Sequence, residues 1–238
     1  MWKGLPVPNF ETIYRMHAAE YDALVSREDH AHNILPALEG IRPLAGLDVV
    51  EMGAGTGRLT RLLAPIARSI AAFDRSTAML GVAAETLKRL GLENWRLAAG
   101  DNRRLPTANC SADLAIAGWS FGHSTGWYPE SWPYEIELAV GEMRRVLRPG
   151  GTAVILETLG TGRETPQPST EALASYYALL EEKYGFASSW IRTDYRFESL
   201  QQADRLTRFF FGDELANRVV RENLVVLPEC TGLWSLTI

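Results

Sequence analysis

Residues 49–60 of this 238-residue chain read Val49-Val50-Glu51-Met52-Gly53-Ala54-Gly55-Thr56-Gly57-Arg58-Leu59-Thr60. The apolar start predicts a short strand, the three glycines predict a tight turn, and Leu59 opens a helical apolar spacing. Glycine lets the backbone turn sharply and lets a ligand approach it closely. The helix that follows presents free N–H groups and the positive end of its dipole. The stretch therefore predicts a corner that binds a nucleotide-like ligand at the carboxyl edge of a parallel sheet.

The glycine spacing departs from two familiar phosphate-binding patterns. The dinucleotide pattern G-x-G-x-x-G requires its third glycine where this chain has Arg58, and Gly57 comes one place early. The Gly-Lys-Ser/Thr triplet of nucleoside-triphosphate loops does not follow. A nicotinamide-dependent oxidoreductase is one alternative, although Arg58 at the position of the third glycine argues against it. The glycines can also form a simple tight turn without a ligand.

Acidic residues follow the next two predicted strands. Asp74 ends the strand at 69–73, about 20 residues after Gly53, where a carboxylate can accept hydrogen bonds from both ribose hydroxyls. Asp101, beside Asn102, follows the strand at 95–99, where a carboxylate can accept a hydrogen bond from an adenine amino group. Each acid alone also fits a helix start or a turn, but together they favour an adenosine-containing ligand.

The rest of the chain predicts an α/β fold. Short apolar strands alternate with helical stripes, which implies parallel βαβ units and a sheet covered on both faces. The predicted strands are 47–52, 69–73, 95–99, 113–118 and 152–156. A further strand is expected at 190–197, and closing strands are expected at 224–227 and 232–238. We predict a sheet of seven strands, with the last pair forming an antiparallel hairpin.

We predict one domain over residues 1–238, with no interdomain linker. An apolar stripe from Phe10 to Leu24 predicts a helix, and a second helix is expected at 29–39. These helices form a predicted N-terminal cap over 1–45. The less regular segment 160–222 is predicted to be a partly helical insertion on the substrate side.

These motifs resemble those of the class I S-adenosylmethionine-dependent methyltransferases, over about Leu47 to Glu157. Glu51-x-Gly53-x-Gly55-x-Gly57 looks like their first motif, Asp74 and Asp101 look like their ribose-side and adenine-side acids, and 145–151 looks like their entry into strand five. The resemblance implies a Rossmann-like methyltransferase fold and S-adenosyl-L-methionine as cofactor. It implies cofactor contacts by Glu51, Gly53, Ala54, Gly55, Gly57, Asp74, Arg75, Asp101, Asn102, Ala117, Gly118 and Trp119. Tyr21 or Tyr14, on the N-terminal helix, would close over the cofactor carboxylate.

His123 is the candidate catalytic base, because it lies in the loop after strand four and imidazole titrates near neutral pH. The loop region is rich in aromatic residues, which suit a planar or apolar acceptor, although packing alone also explains them: Trp119, Phe121, Trp127, Tyr128, Trp132 and Tyr134. His123 can equally pack within its loop. His17, on the apolar stripe, is expected in the core. His30 and His32 do not share a helix face, and no metal site is predicted.

Composition narrows the class of acceptor. Basic residues number 24 and acidic residues 29, giving a net charge of −5 and no basic run for nucleic acid. Strand four ends in Ala117-Gly118-Trp119-Ser120, unlike the Asn/Asp-Pro-Pro-aromatic motif of adenine-amino methyltransferases. We therefore expect a small-molecule acceptor, methylated on oxygen or nitrogen rather than carbon. A non-catalytic module that binds the cofactor is the alternative, and the oligomeric state is left open.

Cysteine usage and hydropathy bear on the compartment. Only Cys110 and Cys230 are present, which favours a reducing environment. No apolar run approaches 18 residues, and the first residues lack the apolar region of a secretory signal. We expect a cytoplasmic protein without membrane contact.

Overall fold

The computed structural model describes residues 10–238; the predicted cap over 1–45 thus has its first nine residues outside the described part. The helices are α1 (Phe10–Met16), α2 (Ala18–Val25), α3 (Ile34–Ile41), α4 (Arg58–Leu63), α5 (Thr77–Arg89), α6 (Ser124–Trp127), α7 (Trp132–Val146), α8 (Glu171–Glu182), α9 (Leu200–Phe211) and α10 (Asp213–Arg221). The strands are β1 (Asp48–Met52), β2 (Ser69–Asp74), β3 (Trp95–Ala99), β4 (Ala112–Gly118), β5 (Leu147–Thr161), β6 (Ala187–Arg192), β7 (Tyr195–Arg196), β8 (Val226–Leu227) and β9 (Glu229–Thr237). A short 3₁₀ helix at Phe121–His123 precedes α6.

The main sheet has seven strands in the order β3-β2-β1-β4-β5-β9-β6, which confirms the predicted fold class. Strands β1 to β5 are parallel, and β9 runs antiparallel to both β5 and β6. β1 pairs with β2 on one side and with β4 on the other, so the strand order reverses at β1. Open α/β sheets bind ligands outside the carboxyl ends of their strands at such a reversal, which is where the glycine motif lies.

Apolar side chains cover both faces of the sheet. On one face Met52, Ala117 and Ile155 pack under α7 and α8, and on the other Val49, Ile116 and Leu156 pack under α3 and α4. Burial on both sides explains why the parallel strands read as continuous apolar runs rather than alternating ones. These runs hold the carboxyl ends of β1, β2 and β4 at one edge.

The C-terminal pairing differs from the prediction in detail. β9 lies between β5 and β6 and does not pair with the predicted strand at 224–227. Residues 226–227 instead pair with Tyr195–Arg196 in a separate two-stranded sheet. The predicted single strand at 190–197 is therefore split between two sheets. β6 is an edge strand whose first four residues are exposed, so it carries no apolar run that a sequence pattern could detect.

The N-terminal helices also differ from the prediction. The single stripe from Phe10 to Leu24 is broken at His17, which is exposed and hydrogen-bonds Glu20 at 2.6 Å, so its expected core position is wrong. The helix expected at 29–39 begins at Ile34, because the Asp29 carboxylate accepts hydrogen bonds from the N–H groups of Asn33 and Ile34. Within residues 10–238, no helix has the length and apolar character needed to cross a membrane.

Candidate active site

A cleft opens at the carboxyl edge of the sheet, where the loops after β1, β2, β3 and β4 converge. Tyr14 and Tyr21 of the N-terminal helices line its other side. Most of the predicted contacts meet there: Glu51, Gly53, Ala54, Gly55, Asp74, Arg75, Asp101, Asn102, Gly118, Trp119, Tyr21 and His123. Residues from five separate stretches of the chain thus surround one space.

The glycine loop is shaped for a close approach. Gly53 has φ +75°, and a Cβ there would lie 1.9 Å from the Ser120 hydroxyl oxygen, so only glycine fits. The N–H groups of Gly53 and Ala54 both donate to the Phe73 carbonyl, at 2.8 and 2.9 Å, which ties the loop to β2. The loop is therefore held open by backbone contacts before any ligand arrives.

Two of the predicted contact residues, Gly57 and Ala117, are not among the residues that line the cleft. Gly57 has φ +80°, and its Cβ position lies 3.0 Å from the Cβ of Ala83, so its role is to let α4 start close against α5. Ala117 is fully buried inside the sheet. Ala117 lies within β4, and its side chain packs in the apolar layer under α7 and α8.

Asp74 is ready to receive two hydroxyl groups. One carboxylate oxygen accepts the Gly55 N–H at 2.8 Å, and the other accepts the Ser76 N–H at 2.7 Å. A carboxylate oxygen has two lone pairs, so each keeps one free. Burial raises the pKa of Asp74, whereas backbone hydrogen bonds from Ser76, Gly55 and Arg75 and the positive charge of Arg75 counteract that rise. A vicinal diol, as in ribose, matches the two free acceptor positions.

Arg103 fixes Asp101 at the adenine end of the predicted site. The Arg103 guanidinium donates to both Asp101 oxygens at 2.8 and 2.6 Å and to Glu135 at 2.7 Å. Its hydrogen bonds hold the pKa of Asp101 below the ordinary range. Asn102 donates to the Ser120 hydroxyl at 2.8 Å. Arg103 and Glu135 were not predicted, because only the folded chain brings α7 against the loop after β3.

Glu51 is buried, with 2% of its surface exposed, and accepts a hydrogen bond from the Thr60 hydroxyl at 2.5 Å. Burial raises its pKa to about 8, so the free protein holds this carboxyl largely protonated at neutral pH. A cationic group arriving in the cleft would favour the ionised form. The side chain can therefore respond to the charge of a bound ligand.

Trp119 adopts a left-handed conformation with φ +49°, which is uncommon for a residue with a Cβ. The Arg58 guanidinium lies 3.7 Å from the centre of its indole ring, and Glu28 binds the same guanidinium at 2.7 Å. These contacts hold the ring against the cleft. Arg58, which the sequence offered only as a departure from the dinucleotide pattern, thus lines the cleft itself.

His123 is enclosed by aromatic rings. Its Nε2 lies 2.9 Å from the Tyr14 hydroxyl, and the Trp127 indole stacks on it at 4.9 Å and 17°. Burial lowers the pKa of His123 to about 4. A hydrogen bond to the Trp119 backbone acts in the opposite direction but is the smaller effect. The imidazole is therefore neutral at physiological pH. With one ring nitrogen bonded to a backbone group, Nε2 is the nitrogen available to a ligand once Tyr14 moves.

Glu157 positions the His123 loop. This residue of β5 is buried, accepts the Gly122 N–H at 2.8 Å and lies 3.4 Å from the Tyr176 hydroxyl, which donates to it. Burial raises its pKa to about 7. Sequence analysis did not single it out, although a glutamate directly after the apolar run at 152–156 was a usable signal.

The aromatic residues of the loop region divide into two groups. Trp119, Phe121, Trp127 and Tyr128 line the cleft. Trp132 instead lies edge-on to Tyr176, with ring centres 6.5 Å apart, and Tyr134 is 60% exposed. In the part of the chain that the structure describes, no group of three or more His, Cys, Asp or Glu residues is placed to hold a metal ion.

The chain is similar to known methyltransferases. Residues 49–151 match the family described as "Methyltransferase domain". The chain is 28% identical over 225 residues to a demethylmenaquinone methyltransferase of Staphylococcus aureus, covering 90% of this chain and 85% of that one. It is 32% identical over 157 residues to the enzyme of that name from Tropheryma whipplei, covering 65% of this chain and only 61% of that one.

A solved structure supports the fold. Phosphoethanolamine N-methyltransferase 2 of Haemonchus contortus, in complex with S-adenosylhomocysteine, aligns with a TM-score of 0.62 at 16% identity, over 98% of this chain and 61% of that one. Residues 49–151 thus match a methyltransferase domain, and the whole chain has a fold that a solved methyltransferase shares.

Proposed function

We propose that the protein transfers the methyl group of S-adenosylmethionine to an oxygen or a neutral nitrogen of a small organic acceptor. The observation that carries this proposal is the hydrogen bond between Tyr14 and His123, which lies in an aromatic enclosure beside Trp119. A neutral imidazole and a phenol would then stand beside the acceptor's reacting group. The net charge of −5 supports a small molecule over a nucleic acid as the acceptor.

The residues of the cleft fit the cofactor. Asp74 would hold the ribose through its two free acceptor positions, and the glycine loop at 53–55 would pass under the methionine part. Asp101 keeps acceptor capacity beyond its pairing with Arg103 and would bind the adenine amino group. Tyr21, which lies edge-on to Tyr14 at 5.3 Å, would cover the cofactor's amino acid end. The cofactor supplies a methyl group already activated by the sulfonium charge.

The low pKa of His123 selects among acceptors. An imidazole with a pKa of about 4 is too weak to remove a proton from an alkylammonium group before the reaction. A neutral hydroxyl or amine is different, because its proton becomes far more acidic as the heteroatom gains the methyl group. His123 can then accept that proton during the transfer. The site therefore favours acceptors that arrive uncharged at the reacting atom.

The aromatic walls favour an acceptor with a flat or apolar body. Trp127 and Tyr128 on one side and Tyr14 on the other line the region next to His123. Such walls exclude water from the reacting atom and hold a ring by its faces. The similarity to two demethylmenaquinone methyltransferases supports a planar acceptor of this kind.

The experiment is transfer of labelled methyl from S-adenosylmethionine to a panel of phenols, carboxylic acids, neutral aromatic amines and alkylamines. We expect label on a phenol or a neutral aromatic amine and none on an alkylamine at neutral pH. Asp74→Ala serves as the control with weakened cofactor binding. Cofactor binding without transfer to any acceptor would favour the non-catalytic module, and tight binding of NAD in place of S-adenosylmethionine would remove the proposal.

A further inference from the structure

A second cavity, of about 590 Å³, lies between the turn after α2, helix α4 and strand β7. We call it the arginine cavity, because Arg27, Arg58, Arg61 and Arg196 line it together with His30 and His32. It shares Arg58 with the cofactor cleft, and its other lining residues are not cleft residues. Neither the methyl donor nor the acceptor proposed above requires it.

The acidic residues of the lining are already engaged. Glu28 accepts hydrogen bonds from Arg58 at 2.7 Å and from the Thr193 hydroxyl at 3.1 Å. Asp29 accepts two backbone N–H groups at the start of α3. Glu198 pairs with Arg27 at 2.7 Å, but its side chain is 66% exposed, and exposed ion pairs of this kind are weak. A stronger anion can displace it.

The arginines keep unused hydrogen-bonding capacity. Within residues 10–238, the Arg196 side chain has neither an ion pair nor a hydrogen bond, and Arg27 Nε and Arg58 Nη2 are buried without a partner. Arg61 pairs only with Asp22, at 3.2 Å. Buried donors without partners cost free energy, and guanidinium groups gathered around one space repel one another. The repulsion between the guanidinium groups falls when an anion enters.

Backbone hydrogen bonds fix the walls of the cavity. The Arg196 N–H donates to the Arg27 carbonyl at 2.8 Å, the Asp29 N–H to the Thr193 carbonyl at 3.1 Å, and the His30 N–H to the Asp194 carbonyl at 3.3 Å. The segments that carry Arg27 and Arg196 are thus joined directly. A site whose walls are already ordered loses less entropy when a ligand binds.

We propose that the arginine cavity binds a small multivalent anion that carries phosphate or carboxylate groups. Guanidinium forks match both kinds of oxyanion through paired N–H···O bonds, and several forks on one cavity favour a ligand with more than one negative charge. The Arg58 guanidinium would be shared between this anion, Glu28 and the Trp119 ring.

The test is calorimetric titration of the full chain with pyrophosphate, inorganic phosphate, citrate and tricarballylate at constant ionic strength, with acetate and chloride as monovalent controls. We expect saturable binding of a phosphate or a polycarboxylate. Tighter binding of the two phosphates or of the two polycarboxylates shows which of these classes the cavity prefers. Arg196→Gln should weaken it by about 10- to 100-fold, as for a charged hydrogen bond. Arg196 is exposed, so this variant should fold normally.

Two further variants make the location testable. Arg27→Lys keeps the charge but removes the fork, and we expect it to weaken binding at least several-fold. Arg96→Gln removes an exposed arginine of β3, outside the cavity, and should leave binding unchanged. The proposal is overturned if no multivalent anion binds saturably, or if Arg196→Gln and Arg96→Gln have equal effects. These readouts are independent of methyl transfer.

Discussion

The Tyr14 hydroxyl and His123 Nε2 lie 2.9 Å apart, and this hydrogen bond joins helix α1 to the loop after β4. The two residues are 109 positions apart in the chain, so only the fold makes them neighbours. Phe10 and Trp127 flank the imidazole, with ring centres 5.6 and 4.9 Å away. An acceptor that reaches His123 must therefore replace or share the Tyr14 contact.

We predict that His123→Ala lowers kcat by about 10²- to 10⁴-fold, the range typical of a lost acid–base group. Tyr14→Phe should have a smaller effect, because it removes one hydrogen bond but keeps the ring. The affinity for S-adenosylmethionine, measured by calorimetry, should stay within about twofold of wild type for His123→Ala. Unchanged turnover in His123→Ala would reduce this residue to a packing role.

We predict that Asp74→Ala weakens S-adenosylmethionine binding by about 1–3 kcal/mol, as expected for hydrogen bonds to a charged group. Calorimetric titration measures the change directly. Asp204→Ala is a suitable control, since Asp204 lies on α9 and pairs with Arg208, outside the cleft. Equal affinities for Asp74→Ala and wild type would show that this carboxylate does not hold the ribose.

Buried Glu51 predicts a pH dependence of stability. Burial raises its pKa in the folded state from the ordinary 4.5 to about 8. At Glu51 the folded state thus binds more protons than the unfolded chain between these values, and the contribution of Glu51 to the free energy of unfolding should fall as pH rises from about 5 to 8. Glu157 acts in the same direction, with a pKa of about 7.

The measurement is urea unfolding of the ligand-free protein at several pH values from 5 to 9. Glu51→Gln should show a shallower loss of stability with pH than wild type, because its amide does not titrate. Glu182→Gln, at an exposed position of α8, should follow the wild-type curve. If the stability of Glu51→Gln fell as steeply with pH as that of the wild type, the raised pKa of Glu51 would be contradicted.

Gly57 and Gly91 offer a matched pair for testing the packing role of Gly57. Both have positive φ, +80° and +68°, but only Gly57 would bring a Cβ within 4 Å of another residue, at 3.0 Å from Ala83. We predict that both alanine variants are destabilised by about 1–3 kcal/mol through backbone strain, and that Gly57→Ala loses more. Chemical unfolding compares them, and equal losses would mean that Ala83 moves aside without cost.

Glu157 is predicted to act as a positioning residue for His123. Glu157→Gln keeps an acceptor for the Gly122 N–H and should retain most activity, whereas Glu157→Leu leaves that donor buried and unpaired. We expect Glu157→Leu to lower kcat at least tenfold with little change in cofactor affinity. A Leu variant as active as the Gln variant would show that the His123 loop is held by other contacts.

The sequence alone determined the central part of this protein. Local patterns predicted the order of strands and helices from Asp48 to Leu156. They also predicted the glycine loop and the positions of Asp74 and Asp101 at strand ends. The reason is that apolar runs, glycine turns and strand-end acids are local signals, and parallel strands with right-handed connections leave few arrangements open. The resemblance to methyltransferases rested on those same local signals.

Only the tertiary structure decided the rest. Four features depend on the folded chain: the pairing of β9 with exposed β6, the contact of Tyr14 with His123, the ion pair of Arg103 with Asp101, and the four arginines that line one cavity. No periodicity or spacing encodes such contacts, because each depends on which side chains the packed core leaves facing one another. The low pKa of His123 has the same origin, since burial is a property of the assembled molecule.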